Sequence, residues 1–324
     1  MNPLTGLYAG ATALRNALFD HGVFVSRRLE RPVVSVGNLS AGGSGKTPFV
    51  IALGELLKER GVAFDVLSRG YRRKTRGILV VESGGEAADF GDEPLLISRR
   101  LGVPVIVGES RYQAGLLAEQ KFHSQLHILD DGFQHRSLAR DFDIVLLTES
   151  DFADRMLPAG RLREPLSSLR RAHAMVLPQD DATGHFSERD LEIENLAQQG
   201  KLIWRIKRQT DVPAGLAAPI VFCGIARPRQ FFAEVRAAGV TPATEIAFRD
   251  HHAYRRWDIA RLNALRAKSS ATGFLTTEKD AVNLGALRTE LEPLAVAGLT
   301  ITIDHPCEVV EAILSGIANR KPYS

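Results

Sequence analysis

The sequence predicts an α/β fold: a mostly parallel sheet with helices on both faces, followed by a second, smaller α/β domain. Three observations support this prediction. Short apolar runs of strand length alternate with amphipathic stretches of helical spacing along most of the chain. A glycine-rich loop joins the first buried run to a helical stretch. A turn-rich segment at 206–218 precedes a second series of such runs.

The composition is that of an ordinary globular protein. The 324 residues are 44% hydrophobic and 24% charged, and the length suits about two domains. The two cysteines, Cys223 and Cys307, lie far apart and outside any CxxC pair, which excludes a disulfide framework and a cysteine-based zinc site. We expect the bounds 1–30 for an N-terminal helix, 31–205 for the first domain, 206–218 for a linker and 219–324 for the second domain.

Residues 1–30 predict a helix with one apolar face. The apolar side chains recur at helical spacing: Leu4, Leu7, Ala11, Leu14 and Leu18. Arginines follow at positions 27, 28 and 31. The pattern is typical of a helix that lies in a membrane interface beside anionic headgroups, and also of a helix packed on the body of a domain. No run of about 20 apolar residues occurs, so the sequence predicts no spanning helix.

The first strong chemical signal is a phosphate-binding loop. Residues 31–36 predict a buried strand, and a helical stretch begins near Pro48. The loop between them contains Ser40, Ala41, Gly42, Gly43, Ser44, Gly45, Lys46 and Thr47. A strand, a glycine-rich loop ending in Gly-Lys-Thr and a helix form a P-loop, in which backbone amides and the lysine hold phosphates and the threonine binds Mg²⁺. Ser40 stands where the usual pattern has glycine, so the start of the loop is expected to run differently.

A P-loop needs an acidic partner for its metal ion. The apolar run 126–129 ends in Asp130 and Asp131, and Gln134 follows shortly after. Carboxylates at the end of a strand parallel to the P-loop strand would face Mg²⁺, although such aspartates also serve as turn or cap residues. We favour the metal site.

The remaining strands and polar loops follow the same α/β pattern. Further strands are expected at 64–67, 78–81, 103–107, 144–147, 174–177, 202–206, 219–223, 244–248, 273–276 and 299–303. The basic loop 68–76 contains Arg72 and Arg73 at a strand end, where ligands bind in such folds. For any single arginine, a side chain exposed to solvent in a surface loop is the simpler interpretation. The segment Asp-His-His at 250–252 has no nearby third or fourth ligand for zinc.

Seven segments, in order, resemble one family. They are 36–48, 67–72, 91–94 (Gly-Asp-Glu-Pro), 130–135 (Asp-Asp-Gly-Phe-Gln-His), 160–165 (Gly-Arg-Leu-Arg-Glu-Pro), 250–252 and 276–280 (Thr-Thr-Glu-Lys-Asp). Together they resemble the tetraacyldisaccharide 4'-kinases of Gram-negative lipid A biosynthesis, and the resemblance extends to about residue 304. The loop of that family also lacks the first glycine, so Ser40 agrees with it.

The resemblance implies a P-loop NTPase-like fold of two α/β/α domains joined by a small β linker. It implies transfer of the γ-phosphoryl group of ATP to the 4'-hydroxyl of a tetraacylated glucosamine disaccharide 1-phosphate, with Mg²⁺. It also implies a peripheral enzyme on the cytoplasmic face of the inner membrane, which favours the interfacial reading of the N-terminal helix. We expect no nucleic-acid partner and no obligate protein partner.

Site roles follow from the resemblance. Asp92 looks like the base that accepts the proton of the 4'-hydroxyl, with His251 or His252 as its partner; we choose His251 because it directly follows Asp250. Lys46 and Arg163 would neutralise phosphate charge. Mg²⁺ would be positioned, directly or through water, by Thr47, Asp131 and Glu164, with Asp130 and Gln134 close by. Arg72, Arg73 and the arginines at 27–31 are candidates for the 1-phosphate of the lipid.

Two alternatives of other classes remain at this stage. A P-loop GTPase switch or metallochaperone would need an N-K-x-D guanine motif, which residues 277–280 only mimic, and a cysteine pair, which is absent from the sequence. A soluble kinase for a small metabolite would not need the apolar helix and the arginines that follow it.

Overall fold

The computed structural model describes residues 3–179, 188–318 and 320. The strands are β1 Val33–Asn38, β2 Phe64–Ser68, β3 Leu79–Val80, β4 Val105–Val107, β5 Leu126–Asp130, β6 Phe142–Leu146, β7 Ala174–Pro178, β8 Leu202–Asp211, β9 Ile220–Cys223, β10 Thr244–Ala247, β11 Phe274–Thr277 and β12 Leu294–Ile303. The helices are α1 Pro3–Asp20, α2 Lys46–Glu59, α3 Ala87–Phe90, α4 Asp92–Leu101, α5 Arg111–Lys121, α6 Glu149–Ala153, α7 Glu188–Gln198, α8 Pro228–Ala237, α9 Arg256–Ser269, α10 Glu278–Leu284 and α11 Pro306–Ala318. Two 3₁₀ segments are Leu166–Arg171 and Gly285–Leu291.

Within these residues, twelve strands form one sheet in the order β10-β9-β11-β12-β8-β7-β6-β1-β5-β2-β4-β3. All neighbours are parallel except β3 with β4 and β8 with β12. The antiparallel pair β8–β12 therefore joins two units. The first unit contains β1 to β8, and the second unit contains β9 to β12. The predicted α/β class is confirmed.

Each predicted strand lies within or overlaps an observed one, but two strands are longer than predicted. β12 covers Leu294–Ile303 where 299–303 was expected, and β8 runs through Asp211, into the predicted linker. Their paired residues extend from Ile206 with Ile303 to Asp211 with Gly298. Half-exposed strands with alternating polar residues carry a weaker sequence signal than fully buried ones. The domain bounds stay a prediction.

The last helix returns to the first unit. Val309, Val310 and Ile313 of α11 are buried in the same apolar core as Phe49 and Leu53 of α2. The predicted bounds assigned this segment to the second domain by its position in the chain, although its apolar side chains pack on the core of the first unit. The second unit is consequently built from residues between β8 and α11.

Helix α1 lies on the first unit with its polar residues inward. Its two buried residues are Thr12 and Asn16, whereas Leu7 is 72% and Leu14 62% exposed. An amphipathic helix on a globular body ordinarily turns its apolar face inward, so this orientation is inverted. No helix among the described residues is both long and apolar enough to cross a bilayer.

Candidate active site

A cleft of about 530 Å³ lies between the two units, at the carboxyl ends of β1 and β5. In open parallel sheets ligands bind at this edge, where neighbouring connections diverge. One wall is the P-loop with Asp130 and Asp131, another is the start of α4, and the third consists of loops from the second unit. The cleft therefore collects the sequence motifs from both halves of the chain.

The P-loop has the backbone geometry that a phosphate cradle requires. Gly42 (φ 105°) and Gly45 (φ 82°) adopt left-handed conformations that favour glycine, and Gly45 caps the N-terminus of α2. A side chain on Gly43 would place its Cβ 3.1 Å from the Cβ of Ala226 in the second unit. Backbone amides and the positive end of α2 thus face the cleft, which is a favourable environment for phosphate.

The structure explains why serine replaces the first glycine. Ser40 forms an isolated antiparallel bridge with Leu162. On either side, the Ala41 amide donates to the Arg161 carbonyl at 2.7 Å and the Arg163 amide donates to the Leu39 carbonyl at 2.7 Å. The start of the loop is therefore a short extended pairing with segment 161–163, a conformation that any residue with a β-carbon can adopt. The same pairing carries Arg163 to the P-loop.

Lys46, Asp131 and Arg163 form a charged cluster at the base of the cleft. Arg163 donates to both carboxylate oxygens of Asp131, at 2.9 and 3.1 Å, and Lys46 Nζ lies 3.4 Å from Asp131 Oδ1. Lys46 Nζ also donates to Asn38 Oδ1 at 3.1 Å, and Arg163 Nη2 donates to the same oxygen. Although burial opposes its charge, Lys46 and Arg163 hold the pKa of Asp131 well below its usual range.

Asp130 is the opposite case. Burial, Glu93 and Asp131 raise the pKa of Asp130 to about 7, although Lys46 opposes the rise. Ser68 Oγ donates to its Oδ2 at 2.9 Å, whereas its Oδ1 is buried without a hydrogen-bond partner. Strongly perturbed carboxylates in a cleft mark a candidate functional site.

The residues present fit Mg²⁺. Besides Asp130 Oδ1, the side-chain oxygen of Gln134 is buried without a partner, while its amide nitrogen donates to the Asn38 carbonyl at 2.8 Å. The Thr47 side chain is also buried. No group of three or more His, Cys, Asp or Glu suited to a metal occurs among the described residues. Mg²⁺ at phosphate sites needs only one or two carboxylates together with phosphate oxygens, so this oxygen donor set is sufficient.

Glu164 lies elsewhere than predicted. Its carboxylate is completely buried and accepts from Asn16 at 2.9 Å, Arg15 at 3.3 Å and Arg171 at 2.8 Å. Like Gln134, it is not among the residues that line the cleft, but unlike Gln134 it has no unpartnered side-chain oxygen. These contacts use the carboxylate to hold α1 on the first unit, and we therefore leave Glu164 out of the proposed metal site.

A carboxylate–imidazole pair lies across the cleft from the P-loop. Asp92 is the first residue of α4, and its Oδ2 lies 2.8 Å from Nδ1 of His251 in the second unit. His252 instead places Nε2 3.0 Å from Asp258 and stacks on Phe248. The structure thus brings His251, and not its neighbour, to Asp92. Although burial opposes its charge, His251 and Lys279 keep the pKa of Asp92 below its ordinary value.

Three residues other than glycine adopt left-handed backbone conformations at this site. They are Arg72 (φ 61°), Asp131 (φ 50°) and His251 (φ 56°). Arg72 Nη1 donates to the carbonyls of Asp250 at 2.7 Å and His251 at 3.0 Å, which links the two units beside the pair. Such conformations cost free energy and persist where the surrounding contacts over-determine them, often at functional sites.

The predicted lipid-phosphate arginines are committed to other contacts. Arg72 binds backbone carbonyls as described, and Arg73 donates to the Gly77 carbonyl and to Glu109 at 2.9 Å. Arg69 of the same loop, which was not predicted as a site residue, lines the cleft together with Arg72, whereas Arg73 does not. Burial and the charge of Arg69 lower the pKa of Arg111 to about 10, and its Nε is buried without a partner.

Asn38, Lys279 and Asn283 were also missed as site residues. Asn38 ends β1 and receives hydrogen bonds from Lys46 and Arg163. Asn283 Nδ2 donates to Asp92 Oδ2 at 3.1 Å from one turn beyond Lys279. Lys279 lies within the motif 276–280, so the sequence contained a signal that it belongs to the site. For Asn283 the only such signal was its spacing of four positions from Lys279 along one helix, which places both residues on the same face.

Comparisons with known proteins agree on one family. The model of the family described as tetraacyldisaccharide-1-P 4'-kinase matches residues 1–318. The tetraacyldisaccharide 4'-kinase of Koribacter versatilis (strain Ellin345) is 44% identical over 331 positions, covering 99% of this chain and 100% of that protein. The kinase of the same name from Aquifex aeolicus (strain VF5) is 38% identical over 300 positions, covering 87% and 88%. The crystal structure of LpxK from Aquifex aeolicus in complex with ATP superimposes with a TM-score of 0.77 at 34% identity, covering 97% of this chain and 98% of that one.

Proposed function

This chain belongs to the tetraacyldisaccharide-1-P 4'-kinase family, and from that premise we propose how its residues perform the reaction. The enzyme transfers the γ-phosphoryl group of ATP to the 4'-hydroxyl of tetraacyldisaccharide 1-phosphate in lipid A biosynthesis, with Mg²⁺. The observation that carries the mechanism is the placement of Asp92 and His251 in one cleft with the P-loop. The family membership does not favour the GTPase switch or the soluble small-metabolite kinase.

The P-loop residues 40–47 bind the phosphates of ATP. Backbone amides at Gly42–Gly45 surround the phosphate oxygens, and Lys46 neutralises their charge. Arg163 lies beside Lys46 and completes the positive surface over which the transferring group passes. Fixed cations in a cleft sheltered from water stabilise the charge of a phosphoryl-transfer transition state more strongly than they would in solvent.

Thr47 and Asp131 would hold Mg²⁺, and Asp130 and Gln134 would contribute oxygens beside it. When bound, the ion neutralises the β- and γ-phosphate charge and keeps these groups oriented for displacement. The fit rests on the unpartnered oxygens of Asp130 and Gln134.

Asp92 acts as the general base. The 4'-oxygen forms its bond to the γ-phosphorus while the bond between that phosphorus and the β-phosphate oxygen breaks, which releases ADP. The hydroxyl proton passes to the Asp92 carboxylate. His251 donates from Nδ1 to the other side of Asp92 and orients it. Because the two residues come from different units, the base is complete only when the units are together.

The acceptor lipid approaches from the side of α1. Arg136 donates to the Asn16 carbonyl and to Asp20 of α1. Burial and three nearby arginines lower the pKa of the neighbouring His135 to about 4; they are Arg111, Arg140 and Arg69. This run of positive charge leads from α1 to Asp131 and the P-loop. We place the 1-phosphate of the lipid against Arg69, in place of the predicted Arg73.

Helix α1 docks on the cytoplasmic face of the inner membrane as a peripheral anchor. Its inverted orientation presents Leu7 and Leu14 outward, and Val25 beyond its end is 74% exposed. Apolar side chains on a helix that is held by polar contacts beneath can enter the acyl boundary of a bilayer. Arg27 follows at headgroup level, where a cation near an anionic surface adds about 1 kcal/mol, whereas Arg28 is paired with Asp141.

One experiment tests the proposal. We expect purified protein to transfer ³²P from Mg·[γ-³²P]ATP to tetraacyldisaccharide 1-phosphate in detergent micelles, and Asp92→Ala to lose about 100-fold or more of this activity while its ATP affinity is kept. Leu7→Glu with Leu14→Glu should retain activity in micelles and lose flotation with anionic vesicles. Unlabelled lipid, or full activity without Asp92, contradicts the mechanism; flotation that persists in the Glu variant contradicts the membrane anchor.

A further inference from the structure

Lys279 occupies the centre of the interface around the Asp92–His251 pair. It lies in the first turn of α10 and is largely buried. Its Nζ is 3.3 Å from His251 Nε2 and 3.7 Å from Asp92 Oδ2. It also lies 3.3 Å from Glu93 Oε1 and 3.5 Å from Asp250 Oδ1. One ammonium group thus contacts residues of both units, and the mechanism proposed above does not use it.

The hydrogen bonds around His251 determine which ring nitrogen carries the proton. Nδ1 lies 2.8 Å from the Asp92 carboxylate, which only accepts, so Nδ1 must be the donor. Nε2 faces the Lys279 ammonium, which only donates, so Nε2 must accept. A lysine at Nε2 therefore selects the neutral tautomer with its proton on Nδ1, the form that donates to Asp92.

We propose that Lys279 is the positioning residue of this kinase: by donating to Nε2 it fixes the ring and tautomer of His251 and so orients the base Asp92. The proposal rests on the proposed function, since it assumes that Asp92 is the base. Asn283 supplies a second donor to Asp92 Oδ2 at 3.1 Å, and the backbone amide of Glu93 donates to Oδ1 at 3.0 Å. The carboxylate is thereby held from both sides.

The charges around Lys279 support a permanently cationic amine. Although burial opposes its charge, Glu93, Asp92 and Asp250 raise the pKa of Lys279 above its ordinary value. The titratable groups of α4 and of the 250–252 loop that face Lys279 are these three carboxylates and His251. In that loop Arg72 contacts only backbone carbonyls. A cation at this point favours ionised Asp92, which is the state that the base needs.

The same contacts make Lys279 sensitive to closure of the units. Asp92 and Glu93 belong to the first unit, whereas Lys279, Asp250 and His251 belong to the second. If the units separate, Lys279 keeps Asp250 but leaves the carboxylates of α4. Because Lys279 and His251 belong to the same unit, their contact persists on opening, and the oriented ring meets Asp92 only when the cleft is closed.

A double-mutant cycle tests this assignment. The variants are Lys279→Met, His251→Ala and the two combined, with kcat, KM for ATP, KM for lipid and melting temperature measured for each. Arg100→Met is the matched control, because Arg100 binds Glu278 at 2.7 Å across the same α4–α10 interface without touching the pair. Lys279→Arg keeps the positive charge and serves as the conservative variant.

We expect Lys279→Met to lower the plateau kcat by about 30-fold or more in the wild-type background and by less than about threefold in the His251→Ala background. KM for ATP should stay within about twofold. The acid limb of kcat/KM should move up by about one pH unit in Lys279→Met and return in Lys279→Arg, because loss of the cation disfavours ionised Asp92. Arg100→Met should keep kcat within about threefold.

Equal losses in both backgrounds overturn the proposal, because Lys279 then acts without His251. An effect confined to KM for ATP also overturns it and makes Lys279 a nucleotide contact. A comparable loss in Arg100→Met attributes the effect to the interface as a whole. Failure of the proposed function is recognised separately, by wild-type protein that leaves the lipid unlabelled.

Discussion

A buried histidine far from the cleft gives the sharpest prediction for stability. His127 of β5 is completely buried, with Nδ1 2.8 Å from Asp65 and Nε2 3.4 Å from Glu119. Although burial opposes its charge, these two carboxylates raise the pKa of His127 to about 9. The imidazole therefore carries both protons in the folded enzyme at neutral pH, between two anions at the opposite end of the strands from the active site.

The size of the effect follows from the two pKa values. The unfolded chain has the ordinary value of 6.5 and the folded chain about 9, and each pKa unit corresponds to about 1.4 kcal/mol. His127 thus contributes about 3 kcal/mol to the free energy of unfolding. Because the folded pKa is raised, this contribution is complete below pH 6.5 and is lost as the pH rises from 6.5 to 9.

The assay is urea unfolding followed by circular dichroism at several pH values between 6 and 10. The reference is the double variant Asp65→Asn with His127→Gln, which replaces the ion pair by two neutral amides of similar size. Wild type minus variant isolates the cluster, because other titrating groups are shared by both proteins. We expect this difference to fall by about 1.4 kcal/mol per pH unit between pH 6.5 and 9.

A difference that stays constant over this range, or that grows with pH, refutes the reasoning. A constant difference would mean that His127 is neutral in the folded protein. A difference that grows with pH only below pH 6.5 would mean that the folded pKa of His127 lies below 6.5, so that burial outweighs the two carboxylates.

Three further substitutions test other contacts. Glu164→Gln should release α1 faster in limited proteolysis and leave the Mg²⁺ requirement of the kinase within about twofold, whereas a large change in that requirement would return Glu164 to the metal site. Gly37→Ala should lower stability by about 1–3 kcal/mol in urea, because the new Cβ would lie 2.5 Å from the Cβ of Phe133; an unchanged midpoint would show that Phe133 can move. Tyr254→Phe should cost about 1–2 kcal/mol by removing the 2.8 Å hydrogen bond to buried Asp280, and a neutral result would mean that Asp280 is satisfied without it.

Much of the fold could be predicted because buried parallel strands and the P-loop leave strong local signals. The strand β1, the loop ending at Thr47 and the helix α2 follow from adjacent residues, and so does Asp131 at the end of β5. What could not be predicted depends on contacts between distant segments. The half-exposed ribbon β8–β12 and the return of α11 are two examples.

The site shows the same division. Residue types and order identify Lys46 and Asp92, but not which carboxylate lies in the cleft. Glu164 and Asp131 are both acidic residues of predicted site motifs. Only the fold shows that Glu164 is buried beneath α1, whereas Asp131 binds Arg163. Likewise, Arg69 and Arg73 are four positions apart in one basic loop. Only the direction of their side chains shows that Arg69 lines the cleft and that Arg73 binds Glu109.

The position of α11 has a consequence for biosynthesis of the chain. The second unit is an insertion between β8 and α11, and the apolar core around α2 lacks Val309, Val310 and Ile313 until the last helix leaves the ribosome. Domains generally fold from the N-terminus during translation, but here the earlier unit must wait for the later one. A nascent chain stopped after residue 304 would hold every strand of the sheet and still expose the face of α2 that α11 covers.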